Sequence, residues 1–130
     1  MLRFPDLALG ELETAVLEAL WTHGSMKPAE VHGAVGRPDI SVNTVSSALK
    51  RLSDKGLLTR DKVSHSYVYR ANITRSELQR QLIGAIAAQF GDTGGQGLLA
   101  AFVDIAEERG DDSLRDLERL IADRLEEGDE

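Results

Sequence analysis

The amino-acid sequence predicts a mainly α fold (α+β), and three observations carry the expectation. Apolar residues recur at three- and four-residue steps along most of the chain. Residues 57–71 break that rhythm with two short runs of strand character around a polar tip. Charge is divided unevenly between two halves: residues 1–72 hold nine Lys/Arg against eight Asp/Glu, and residues 73–130 hold six against fourteen. The net charge of −7 therefore resides in the second half, while residues 41–70 carry six basic side chains against two acidic ones. A chain of 130 residues with 42% hydrophobic content suffices for one compact domain, or for a small domain with an interaction appendage.

A first helix is expected over Leu9–Thr22, with Leu9, Leu12, Val16 and Leu20 on one stripe and Trp21 joining the core. His23-Gly24 ends it. Pro28 suits the first position of a second helix reaching Val35, with Val31 and Val35 inward, and Gly36-Arg37-Pro38-Asp39 makes a turn. The third helix, from Ser41 to Lys55, organises the rest. Val45, Ala48, Leu49 and Leu52 form its inward stripe, and Asn43, Thr44, Ser46, Ser47, Lys50 and Arg51 fall on the other side. Ser41 is a good N-cap and Gly56 a good residue just beyond the end.

Three short helices with a tight turn before the polar-faced one describe a helix-turn-helix. Leu57–Lys62 and Tyr67–Ala71 then read as two strands about Val63-Ser64-His65-Ser66, a hairpin that makes the whole a winged helix. A row of one amide and small hydroxyls followed by cations matches the donors and acceptors of a major groove. The expected DNA-binding residues are therefore Ser41, Asn43, Thr44, Ser46, Ser47, Lys50 and Arg51 on the helix, with Arg60, Lys62, His65 and Arg70 on the wing near phosphates or the adjacent minor groove.

Thr74 with Glu77 forms a capping box that opens a fourth helix to about Phe90, with Leu78, Leu82, Ile83, Ile86 and Phe90 on its apolar side. Gly91–Gly97 follows neither a strand nor precedes a Lys-Ser/Thr pair, so it reads as a flexible connection and not a phosphate loop. A fifth helix is expected over Leu98–Glu108 and a sixth over Ser113–Glu127, with Leu114, Leu117, Ile121 and Leu125 in a seam. These helices carry more apolar surface than they can hide alone, so they pack either back on their own winged helix or against a second copy. The second copy is favoured because helix-turn-helix proteins commonly read two half-sites as dimers. Residues 1–72 are thus expected to form a winged-helix DNA-binding domain, and residues 73–130 a three-helix dimerisation region contacting its copy through Leu82, Ile86, Phe102, Leu114, Leu117, Ile121 and Leu125.

Several function classes are excluded or disfavoured. The absence of cysteine removes thiolate metal sites, disulfides and cysteine nucleophiles. His23, His32 and His65 lie in different elements without metal-ligand spacing, and no Ser/His/Asp set is supported, so neither a cofactor nor an enzyme is expected. No segment approaches the length of a membrane span or has the form of a signal peptide, which leads to the expectation of a cytoplasmic protein.

In this order of elements, Leu9-Gly10-Glu11-Leu12-Glu13 with Val16 and Leu20-Trp21, Asn43-Thr44-Val45 with Leu49-Lys50-Arg51-Leu52 and Lys55-Gly56, and Tyr67-Val68-Tyr69 resemble the penicillinase-repressor family of bacterial transcriptional regulators, the BlaI/MecI/CopY group. The resemblance covers nearly the whole chain. It implies a dimeric repressor with Asn43, Thr44, Ser46, Ser47 and Arg51 facing an operator in double-stranded DNA. Ser46 is small where the family often places a longer side chain. The lack of cysteine separates this chain from the copper-sensing branch. Where β-lactam-responsive members are cut by a sensor protease at an Asn-Phe bond, this chain has Ala101-Phe102. Two alternatives to the repressor stand beside it: a winged-helix module for protein interaction, which overall acidity favours, and a ligand-responsive regulator.

Overall fold

The computed structural model describes residues 9–90 and 96–129. It contains α1 (Glu11–His23), α2 (Pro28–Val35), α3 (Val42–Asp54), β1 (Leu58–Val63), β2 (Ser66–Ala71), α4 (Arg75–Phe90), α5 (Gln96–Glu108) and α6 (Asp111–Gly128). The fold is mainly α with one antiparallel hairpin, a winged helix followed by further helices. It divides into two compact units, one ending at Ala85 and the other starting at Ile86.

The first unit is built around α3. Its stripe of Val45, Ala48, Leu49 and Leu52 is completely buried, against Val16, Leu17 and Leu20 of α1, Val31 of α2 and Leu57. Apolar burial of this kind is worth roughly 25 cal/mol per Å² and fixes which way α3 faces. Both ends of α3 are set locally. Ser41 Oγ accepts the Thr44 N–H at 3.2 Å, and Gly56, at φ 82°, takes the left-handed conformation that lets Leu57 N–H reach Leu52 O at 3.0 Å. His32, on α2, bonds the Ile40 carbonyl at 2.7 Å through Nε2, which holds the turn just before the N-cap.

The hairpin is anchored at its base and free at its tip. Met26, between α1 and α2, exchanges both backbone hydrogen bonds with Tyr69, at 2.9 and 2.8 Å, so β2 is tied to the helical core. Asn72 donates its N–H to Leu57 O at 2.9 Å and its Nδ2 to Gly56 O at 3.1 Å, closing the hairpin against the end of α3. Pairing continues to Val63 and Ser66, one residue further than the sequence suggests on each strand, and leaves a two-residue turn at Ser64-His65. Ser64 has φ 58°, the positive value such a tight turn requires.

After β2, Thr74 Oγ1 accepts the Glu77 N–H at 3.1 Å and starts α4. Leu78 is buried, and Leu82 and Ala85 pack on the same core. Trp21 lies at the edge of that core, half-buried, because its Nε1 donates to Ile73 O at 2.8 Å and Arg75, itself paired with Glu18, stacks on its ring 5.0 Å away.

In the second unit α5 and α6 pack on each other across the turn at Gly110, which has φ 111°. Helix α6 begins at Asp111, two residues before the expected Ser113, because Gly110 takes the N-cap position in a positive-φ conformation open to glycine. Gln96 and Gly97 belong to α5 and not to a loop; residues 91–95 of the expected connection lie outside the described residues. No residue of α5 or α6 is buried. Leu114 and Leu117 are half-buried, whereas Leu99, Phe102, Val103, Ile105, Leu120, Ile121 and Leu125 are exposed. No helix among the described residues is long and apolar enough to cross a membrane.

Candidate nucleic-acid interface

With its inward stripe buried, α3 turns Asn43, Ser47, Lys50 and Asp54 outward, at the spacing of one helical face. Asn43 and Ser47 have no side-chain partner among the described residues, so their donors and acceptors are open to solvent. Ser46 is half-buried on one flank. On the other flank Thr44 is tied to Ser41, the two hydroxyl oxygens 3.1 Å apart, so Ser41 both caps the helix and orients Thr44. Ser41 at the N-cap and Asn43, Thr44, Ser46 and Ser47 in the first turns thus make the start of α3 a polar surface.

The cations around this face differ in their freedom. Lys50 pairs with Asp54 at 3.2 Å one turn further on, with both side chains about two-thirds exposed. Such a pair contributes about 0–1 kcal/mol and exchanges readily for a phosphate. Arg51 and Lys55 point the other way, to α1, where Glu13 receives Arg51 Nε on Oε1 at 3.2 Å and Lys55 Nζ on Oε2 at 3.0 Å. Burial pushes the Glu13 carboxyl up, but the hydrogen bonds and charges of Lys55 and Arg51 outweigh it and hold the group below its ordinary pKa.

Strand register sorts the wing residues onto two faces. Arg60 and Lys62 alternate with Asp61 along β1, and they stand opposite Tyr69 and Tyr67. Arg60 lies over the Tyr67 ring at 4.3 Å, a cation–π contact that steadies its guanidinium. The neighbouring Tyr69 and Tyr67 hydroxyls raise the already high pKa of Arg60 further. Arg70 is on the opposite face of the sheet, paired with Asp61 at 2.8 Å. Lys62 and His65 have no side-chain partner among the described residues. The geometry therefore brings Arg60 and Lys62 to one face of the wing and sets Arg70 apart from them.

Two participants escape a sequence reading of the site. Glu13 lies 38 residues from Arg51, and Tyr67 enters through its cross-strand relation to Arg60 and Lys62. The signal for Tyr67 is the alternation itself, once the strand register is known. No group of three His, Cys, Asp or Glu side chains among the described residues is placed to hold a metal ion.

The penicillinase repressor family matches residues 9–123. No curated protein matches the sequence significantly. Among solved structures, the DNA binding domain of the repressor BlaI is 29% identical, with 59% of this chain and 93% of that one covered and a TM-score of 0.49. NolR from Sinorhizobium fredii is 19% identical, covering 68% of this chain and 81% of that one, with a TM-score of 0.48. A mutant of ZitR from Lactococcus lactis in complex with DNA is 15% identical, covering 93% and 76% respectively, with a TM-score of 0.43. Since the family match spans the winged helix and most of the helices after it, this chain belongs to the penicillinase repressor family, a family of DNA-binding transcriptional regulators and not of enzymes.

Proposed function

We propose that the protein is a dimeric transcriptional repressor that inserts α3 into the major groove of a near-palindromic operator. The observation that carries this reading is the outer face of α3: its first turns present polar side chains open to base edges, on a helix whose opposite stripe is wholly buried. Asn43, Thr44, Ser46 and Ser47 contact bases, while Lys50, Arg51, Arg60, Lys62 and His65 contact phosphate or the minor groove. Arg70 joins them only by leaving Asp61.

Pairing is proposed through the second unit, on the grounds that two helices without a buried residue leave Phe102, Ile121 and Leu125 uncovered and Leu114 and Leu117 half-covered. Ile86 stands at the start of that unit, and Leu82, already packed on the first core, contributes only at its margin. Two weak heads joined in this way gain roughly 10² to 10⁴ in affinity, so a cut between head and pairing helices releases DNA. Ala101 and Phe102 are both exposed on α5, and we place the bond open to a sensor protease there.

Salt titration tests the central claim. A dimer that neutralises six or more phosphates loses roughly 10³-fold in affinity between about 50 and about 200 mM salt. Duplex binding that is flat with salt, or absent at low salt, overturns the repressor and favours a protein-interaction module. Truncation after Ala101 tests derepression: equal affinity of the intact and shortened chains for a duplex enriched from a random pool refutes it.

A further inference from the structure

We propose that Glu13 is a positioning residue for DNA binding: it keeps Lys55 from phosphate and presents Arg51, so that this edge of α3 delivers one phosphate contact per protomer instead of two. The inference rests on the DNA-binding reading above.

Arg51 near the end of α3 and Lys55 at its C-cap lie four residues apart, and both reach across to Glu13 of α1. Glu13 rises from α1 with only 12% of its side chain exposed, and it divides its two oxygens between two cations. The cations are left in different states. Lys55 gives one N–H of its ammonium to Glu13, and only 23% of its side chain is exposed to meet any other group. Arg51 gives Glu13 its Nε, keeps both terminal nitrogens, and remains 52% exposed. A guanidinium held from behind presents a fixed pair of N–H donors, the arrangement that suits phosphate oxygens. The three groups together carry a single positive charge. Glu13 itself is shielded from the strand it helps to bind, so it repels phosphate little while neutralising one of the two cations.

The slope of log affinity against log salt counts phosphate contacts, at about 0.9 for each on duplex DNA. The measurement uses a duplex enriched by the intact protein from a random pool, with wild type and the variants Arg51→Gln, Lys55→Gln and Glu13→Gln. Per protomer, R51Q should lower the slope by about 0.9, K55Q should leave it unchanged, and E13Q should raise it by about 0.9 as the ammonium is freed. Equal losses in R51Q and K55Q overturn the proposal. So does an E13Q slope equal to or below wild type, the result expected if Glu13 only ties α1 to α3. Trp21 fluorescence monitors folding; if E13Q unfolds, the contrast between R51Q and K55Q decides alone. A wild-type slope near zero would instead remove the DNA-binding reading itself.

Discussion

Leu49→Ala is the sharpest test of how α3 is held. Leu49 is at 0% exposure in the middle of the buried stripe, flanked by Val45, Ala48 and Leu52, all equally buried. Removal of a buried Leu side chain costs its transfer free energy and a cavity term, about 2 to 5 kcal/mol in total. Here the surrounding core comes from three helices and Leu57, so collapse of the cavity requires several elements to move together; we expect about 3 to 4 kcal/mol. For a unit of this size, each kcal/mol lowers the melting temperature by about 4 to 8 °C, which makes the expected fall at least about 12 °C. Trp21 is the single tryptophan of the chain and lies in the first unit, so its fluorescence during urea titration follows that unit alone. Lys50→Ala is the control: its side chain is 69% exposed on the outer face of the same helix, and it should stay within about 0.5 kcal/mol of wild type. A Leu49→Ala loss under about 1 kcal/mol would refute the idea that this stripe fixes how α3 is held.

On enriched duplex DNA, Asn43→Ala should weaken discrimination at one base position by about 1 to 3 kcal/mol, whereas Lys62→Gln should weaken all duplexes alike and lower the salt slope by about 0.9 per protomer; competition binding separates the two. The double change Ile121→Asp with Leu125→Asp affects residues that are exposed in the protomer, so it should leave helicity intact by circular dichroism and give monomers by sedimentation at micromolar protein; persistent dimers would place the interface elsewhere. Because Glu13 is held below its ordinary pKa in the folded protein, its stabilisation is complete above the unfolded value near 4.5 and fades as pH falls through the folded value. The acid-side loss of urea stability should therefore be shallower in Glu13→Gln than in wild type; identical pH profiles would show that the carboxylate contributes nothing.

Much of the fold is legible in the sequence because its signals are local. The stripe Val45, Ala48, Leu49, Leu52 needs only helical periodicity to be seen, and the ends of α3 follow from the Ser41 hydroxyl and the backbone freedom of Gly56, both within one turn of what they satisfy. The Thr74 cap and the strand pattern on either side of Ser64-His65 are similarly short-ranged. Boundaries moved where a neighbouring residue competed for the same role, as when Gly110 displaced Ser113 at the start of α6.

What the candidate interface does with its charge was decided by tertiary structure. In sequence, the cations at positions 50, 51, 55, 60, 62 and 70 form one basic run. Folding divides them among Asp54, Glu13, the Tyr67 ring and Asp61, and leaves Lys62 without a side-chain partner among the described residues. The Glu13 pairing joins residues 38 and 42 positions apart, and it exists only because burial of the α1 and α3 stripes brings those two helices together. The separation of Arg70 from Arg60 and Lys62 depends on hairpin register, where a one-residue slip would exchange the faces. Composition and periodicity thus determined the elements and the sign of the charge near α3, since both are properties of neighbouring residues. Which cations stay free to meet a phosphate depends on distances across the fold, and no local pattern encodes those.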